Sequence, residues 1–171
     1  LTYAKVYTES DESSGVTPSS PCQWDLAKLL EQELKELGVS DVKLDEQWCI
    51  VTGRIPATPG CEDAPALGLL AHMDTAPAFS GKDVNPILHP NYDGGDVMLP
   101  CEGRVIRAAD FPFLSDLKGK TLITADGTTL LGADDKAGIA EIMTLCERIL
   151  TENLPHGELC IAFTPDEEIG E

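Results

Sequence analysis

The chain has 171 residues, 42% hydrophobic and 5% aromatic, with 30 acidic against 12 basic side chains and a formal net charge of −18. That length supports one domain with an aliphatic core, and the acid excess sets the chain against nucleic acid and anionic membranes as partners. No apolar run approaches the ~20 residues that a membrane-spanning helix needs, no basic-then-apolar leader opens the chain, and the six cysteines include no C-x-x-C pair, so the expected address is the cytoplasm and the cysteines read as small buried apolar residues.

Residues 8–20 are polar and turn-rich and read as a loop. A helix follows, with Ser20 as its cap and Pro21 in its first turn. Trp24, Ala27, Leu30, Leu34 and Leu37 fall near one face, Lys28, Glu31, Gln32 and Lys35 fall opposite, and Gly38 ends it. Residues 42–44 and 48–55 read as strands about Asp45-Glu46-Gln47. Residues 67–71 are short and apolar, which predicts a strand buried on both faces. Residues 76–116 show little periodicity, and so long an excursion points to a functional loop. Residues 120–125 and 128–131 flank Asp126-Gly127 and read as a hairpin.

A second helix is expected over about residues 136–151. Its apolar positions cover much of the circumference, which predicts burial between a sheet and another layer. Residues 158–163 form a last strand running into Thr164-Pro165-Asp166-Glu167-Glu168. Strands interleaved with helices predict an α/β fold, a mixed and mainly parallel sheet sandwiched between helices. In such sheets ligands bind at the carboxyl ends of strands.

Three acidic clusters occupy such ends. They are Ala-His-Met-Asp-Thr at 71–75, Gly-Ala-Asp-Asp-Lys-Ala-Gly at 132–138 and Thr-Pro-Asp-Glu-Glu-Ile-Gly at 164–170. Carboxylates gathered at neighbouring strand ends repel one another unless cations sit between them, which is the chemistry of a metal-dependent hydrolase. His72 and Asp74 are two residues apart, so in extended chain both point the same way: the imidazole can ligate a metal while Asp74 accepts the other ring N–H. A strand-end histidine merely satisfied by a neighbouring acid has the same pattern. Asp134 and Asp135 are adjacent and cannot both face one point in regular structure, so one can bridge metals while the other caps the helix, or both can cap it. Of Glu167 and Glu168, one can bind metal and the other hold a proton, unless the pair is a solvated turn. His89 and His156 lie in turn-like contexts and read as surface residues. No Gly-x-Ser-x-Gly nucleophile elbow occurs.

The motif set H-x-D, then Gly-Ala-Asp-Asp-Lys-Ala-Gly, then Glu-Glu resembles the dizinc peptidase superfamily that includes aminoacylase, glutamate carboxypeptidases and succinyl-diaminopimelate desuccinylase. The likeness is strongest to its tripeptide aminopeptidases, the peptidase T family. It extends to residues 23–30, 68–77, 91–96 and 122–138, among them Asn91-Tyr92-Asp93-Gly94-Gly95-Asp96. The resemblance implies that His72 ligates one zinc, Asp134 bridges two, and Glu168 ligates the other. It also implies that Glu167 is the general base and that Asp74 is the partner of His72. It implies a zinc-dependent aminopeptidase that releases the N-terminal residue of tripeptides and other short peptides, with two zinc ions per complete site. The residues that anchor the substrate are not legible from it. Other activities of the superfamily (dipeptidase, carboxypeptidase, N-acyl-amino-acid deacylase) and an inactive metal-binding fragment are the alternatives.

A further Asp and a further His complete the family's site later in the chain, and a smaller dimerisation and lid domain is inserted after a point like Glu171. Residues 1–171 are therefore expected to be the N-terminal part of the catalytic domain of a longer, homodimeric protein, and the isolated piece is expected to be inactive.

Overall fold

The computed structural model describes residues 1–101 and 103–170. Glu102 and Glu171, the second being the point after which an inserted domain is expected, lie outside the described residues. The first helix, α1 (Gln23–Leu37), buries Ala27, Leu30 and Leu34 as the spacing predicts and Leu26 besides, while Trp24 and Leu37 of the expected face are half-buried. It closes on Gly38, whose φ of 88° favours glycine, with its N–H turned back to Leu34 and Lys35. Its start differs from expectation. The cap position is Cys22, without a side-chain cap bond, and the Ser20 hydroxyl donates instead to the Glu9 carbonyl.

Strands β1 (Ser40–Asp45) and β2 (Ile50–Ile55) follow. Trp48 is left in the turn between them, because Asp45 Oδ1 accepts the amides of Gln47 and Trp48 at 2.9 and 3.1 Å. With β3 (Leu67–His72) and β8 (Leu159–Thr164) they form one sheet in the order β1-β2-β8-β3. It is mixed, as expected, but not mainly parallel: β2 is antiparallel to both β1 and β8, and β3 is parallel to β8. The parallel pair is reached through α2 (Ala133–Glu152), the helical crossover such a pair requires.

One face of this sheet carries Val51, Ile55, Ala71, Leu159, Ile161 and Phe163, which join α1 and α2 in a single core with Leu26, Leu30, Leu34, Ile139 and Met143. A fully buried leucine here contributes about 1.5–3 kcal/mol. The helical layer of the described residues thus lies on this face, and the other remains open. The expectation that β3 is buried on both faces fails for this reason. Leu70 is 69% exposed on the open face. Cys160, expected to be buried, is exposed on the same open side, while Cys49 and Cys146 are buried as expected. The second helix is likewise enclosed on one side only: Ile142, Cys146 and Ile149 are buried, Leu145 and Arg148 exposed.

Residues 76–116 are more than a loop. They contain β4 (Ile87–His89), β5 (Val97–Met98), β6 (Val105–Ile106) and a 3-10 turn at Pro112–Leu117. Tyr92, Val97 and Leu114 form a small core of their own. The hairpin about Asp126-Gly127 does not form. Strand β7 (Leu122–Thr124) pairs with β4, and Asp126 Oδ1 accepts the amide and hydroxyl of Thr128 at 2.9 and 2.6 Å, a side-chain turn. Leu130 then donates to the Ser80 carbonyl, so no strand leads into the 132–138 motif. No described helix is long and apolar enough to cross a membrane.

Candidate metal centre

The parallel register sets His72 beside Thr164, and Met73 continues the ladder by donating to the Thr164 carbonyl at 2.8 Å. Two strand ends are thereby aligned, and residues 72–75 meet residues 165–168. Asp74 is fully buried at this junction. Its Oδ1 accepts the Glu167 amide at 3.0 Å and its Oδ2 the Glu168 amide at 3.1 Å. His72 Nδ1 lies 3.1 Å from the Asp74 carbonyl and 3.2 Å from the same Oδ1.

His72 Nε2 faces the other way, 2.9 Å from Asp134 Oδ1 and 3.9 Å from Glu167 Oε2. One donor atom each from His72, Asp134 and Glu168 lies within 4.8 Å of the other two. The sequence-derived site residues His72, Asp74, Asp134, Glu167 and Glu168 thus converge. His89 and His156 do not: His89 Nε2 sits 3.0 Å from Thr124 Oγ1 and His156 Nδ1 sits 2.7 Å from the Gly157 carbonyl. Both are half-buried rather than surface residues.

The adjacent aspartates divide their tasks because the backbone there is not helical. Asp134 has φ −84°, ψ 113° and Asp135 φ −116°, ψ 35°, and the peptide bond joining them is cis. Asp134 turns to His72, its side chain 83% exposed. Asp135 Oδ1 accepts the Gly138 amide at 3.1 Å and caps the regular part of α2. A Cβ at Gly138 would lie 2.4 Å from that oxygen, so the cap requires glycine.

The electrostatics follow from burial and crowding. Burial works against a charge on His72, but hydrogen bonds to Asp74 and Asp134 outweigh it and lift the ring to about 9. Burial works against Asp74 too, yet its bonds to His72 and to the two glutamate amides hold its carboxyl below the usual range. Burial, then the charge of Asp134, pushes Glu168 upward. A cation among these groups would relieve that crowding.

Two residues near the site escaped sequence reading. Lys136 is only 4% exposed; its Nζ donates to the Val6 carbonyl at 2.6 Å, and burial pulls it down to about 8. Asp166 is fully buried, although the acidic turn that holds it reads as solvated. Its only sequence signal is its place between Pro165 and the glutamates. Beside Glu168 opens a cleft of about 750 Å³, bordered by Tyr7, Glu9, Asp11, Glu12 and Cys22.

No family model matches the chain. It is 55% identical over 172 residues to Peptidase T of Desulfitobacterium hafniense (strain DSM 10664 / DCB-2), covering 99% of this chain and 41% of that protein. To Peptidase T of Geobacillus kaustophilus (strain HTA426) it is 51% identical over 172 residues, with the same shares. The chain therefore spans about two-fifths of the length of these relatives. Among solved structures, a tripeptidase from Staphylococcus aureus subsp. aureus Mu50 superposes with a TM-score of 0.64 at 26% identity, over 99% of this chain and 35% of that one. The aminopeptidase PepT from Bacillus cereus ATCC 10987 has a TM-score of 0.64 at 23% identity, over 98% and 35%, and supports the fold. Sequence and fold agree on the mixed α/β architecture.

Proposed function

Starting from a chain homologous over its whole length to proteins named Peptidase T, we propose that it is the N-terminal part of the catalytic domain of a zinc-dependent tripeptide aminopeptidase. The observation that carries this reading is the convergence of His72, Asp134 and Glu168 donors within 4.8 Å. One imidazole nitrogen and two carboxylates are a donor set suited to zinc, and a spread of this size fits ligands ~2.0–2.2 Å from a metal. We assign His72 Nε2 to one ion, Asp134 to the bridge between two, and Glu168 to the second.

Zinc bound there would supply a more acidic water and a polarised peptide carbonyl. The chain's own residues do the rest. Asp74 holds the His72 ring from Nδ1 and so keeps Nε2 directed at the site. The same carboxylate seats the amides of Glu167 and Glu168, which orients both glutamates. Glu167, with its side chain 65% exposed and 3.9 Å from His72 Nε2, takes the proton from the attacking water on its carboxylate. It then delivers that proton to the leaving amine nitrogen as the C–N bond breaks.

The finer parts of this reading rest on the resemblance. They are two zinc ions per complete site, short peptides as substrates, a cytoplasmic homodimer without nucleic-acid or membrane partners, and an inserted lid domain and C-terminal catalytic part beyond residue 171. The test is turnover by the whole protein on Xaa-Yaa-Zaa peptides against N-acyl-amino acids. Release of the first residue from tripeptides, lost with chelator and restored by zinc, is expected. Turnover of acylated amino acids alone would replace this reading with a deacylase.

A further inference from the structure

We propose that Asp166 is a positioning residue, which with Ser19 and Gln23 locks the turn bearing Glu167 and Glu168 and ties it to the wall of the adjacent cleft. Both of its carboxylate oxygens are engaged. Oδ2 accepts the Ser19 amide at 2.7 Å. Oδ1 accepts the Ser19 hydroxyl at 2.5 Å and Gln23 Nε2 at 2.6 Å. These partners lie 147 and 143 residues earlier in the chain, so the bonds are tertiary.

Three donors converging on one side chain require an acceptor-only group. An asparagine would turn an NH₂ against one of them. Burying a carboxylate is costly unless it is fully hydrogen-bonded, and a plain chain reversal would leave its acid in water. Here Asp166 adopts φ 60° directly before Glu167. The turn is then gripped from two sides: Asp74 accepts the Glu167 and Glu168 amides, and Asp166 fixes the backbone that precedes them.

The network continues into the cleft. Ser19 Oγ accepts the amide of Asp11 at 2.9 Å, and Ser20 donates to the Glu9 carbonyl. Asp11, Glu9 and Ser20 all border the cleft beside Glu168. A shift of the 9–20 segment therefore reaches the glutamate turn through Ser19 and Asp166. The kinetic consequence rests on the peptidase reading; the structural one does not.

The test uses the whole protein with Asp166→Asn and Ser19→Ala. It reads hydrogen exchange at Glu167 and Glu168 alongside kcat and KM on a tripeptide. For Asp166→Asn, exchange at these amides should quicken at least ~10-fold while β2 and β8 keep their protection. The kcat should fall on the order of 10–10²-fold with KM changed by less than about threefold, as expected for a misplaced but present base. Ser19→Ala should move both readouts the same way and less, and it decides the matter if Asp166→Asn does not fold. Unaltered exchange at 167–168 overturns the proposal, and so does quickened exchange spread equally over β2 and β8. If the wild-type protein releases nothing from tripeptides, the peptidase reading fails while exchange still decides the role of Asp166.

Discussion

Asp74 and Glu167 are joined by a 3.0 Å hydrogen bond across 93 residues of chain, the carboxylate of one accepting the backbone amide of the other. Because the same oxygen lies 3.2 Å from His72 Nδ1, one buried anion orients both the imidazole and the glutamate turn. Asp74→Ala in the whole protein should therefore do more than release a histidine. It leaves two part-buried amides without their acceptor, at no more than about 1–3 kcal/mol. The expected outcome is a lower melting temperature together with a loss of zinc affinity on the order of 10–10²-fold. Calorimetry with zinc titration reads both, and a variant with normal zinc affinity would remove Asp74 from the site.

The two glutamates should separate by variant. Glu167→Gln is expected to cut kcat ~10²–10⁴-fold, the usual range for a general base, with zinc content near normal. Glu168→Gln should lose metal at one site. Metal analysis beside single-turnover kinetics distinguishes them, and equal zinc loss in both would show that the roles are misassigned.

Zinc uptake should release a proton. The folded pKa of His72, about 9, lies above the ordinary 6.5. The charged ring therefore stabilises the metal-free fold fully below about 6.5, and that contribution fades as the pH rises through 9. A metal needs the neutral ring, so apparent zinc affinity should climb between pH 7 and 9 and level off above. Titrations in buffers of different ionisation enthalpy would count the proton. A pH-independent affinity across that range would contradict the geometry about Nε2.

Gly138→Ala should disturb the start of α2. Its Cβ would stand 2.4 Å from the Asp135 carboxylate, so either the cap or the helix must move. The displaced cap costs about 0.5–2 kcal/mol, offset in part by the ~1 kcal/mol helix preference of alanine over glycine, so a small net loss is expected by urea denaturation. Asp135→Asn should cost less, since an amide oxygen can still accept the Gly138 N–H.

The described residues by themselves offer His72, Asp134 and Glu168 to zinc, too few donors for two four-coordinate ions. They also expose Leu70 and Cys160 on the open sheet face. Expressed alone, the piece should bind zinc weakly, turn over no tripeptide and self-associate. Isothermal titration and light scattering check this. Tight uptake of two ions by an active monomer would mean that donors such as Glu62, Asp63, His89, Asp93 or Asp96 had been overlooked.

Most of this site was legible because its chemistry is local. His72-x-Asp74 needs only extended backbone to align, and Glu167-Glu168 needs only a strand end. Residue chemistry alone made Asp134 and Asp135 legible as a division of labour; the resemblance singled out Asp134 for the metal, and two non-helical residues turn that side chain toward His72. Asp166 and Lys136 were illegible because their burial comes from segments far away in sequence, Ser19 and Val6. The hairpin about Asp126 failed for a related reason: the turn chemistry is present, but β4 takes the edge that residues 128–131 were expected to fill. Likewise, the apolar run of β3 says nothing about whether anything covers its outer face.

The sheet order carries a kinetic implication. The strand β8 comes last in the sequence among the described strands, yet it lies between β2 and β3. The pairings of β2 and β3 with β8 cannot form until that late segment threads between them. The closure spans a long stretch of chain, and such non-local pairing is slow. His72 is made early and Glu168 late, so the donor set assembles only as β8 inserts. Metal capture should then lag behind helix formation during refolding, which makes a zinc-sensitive dye a direct clock for the insertion of the central strand.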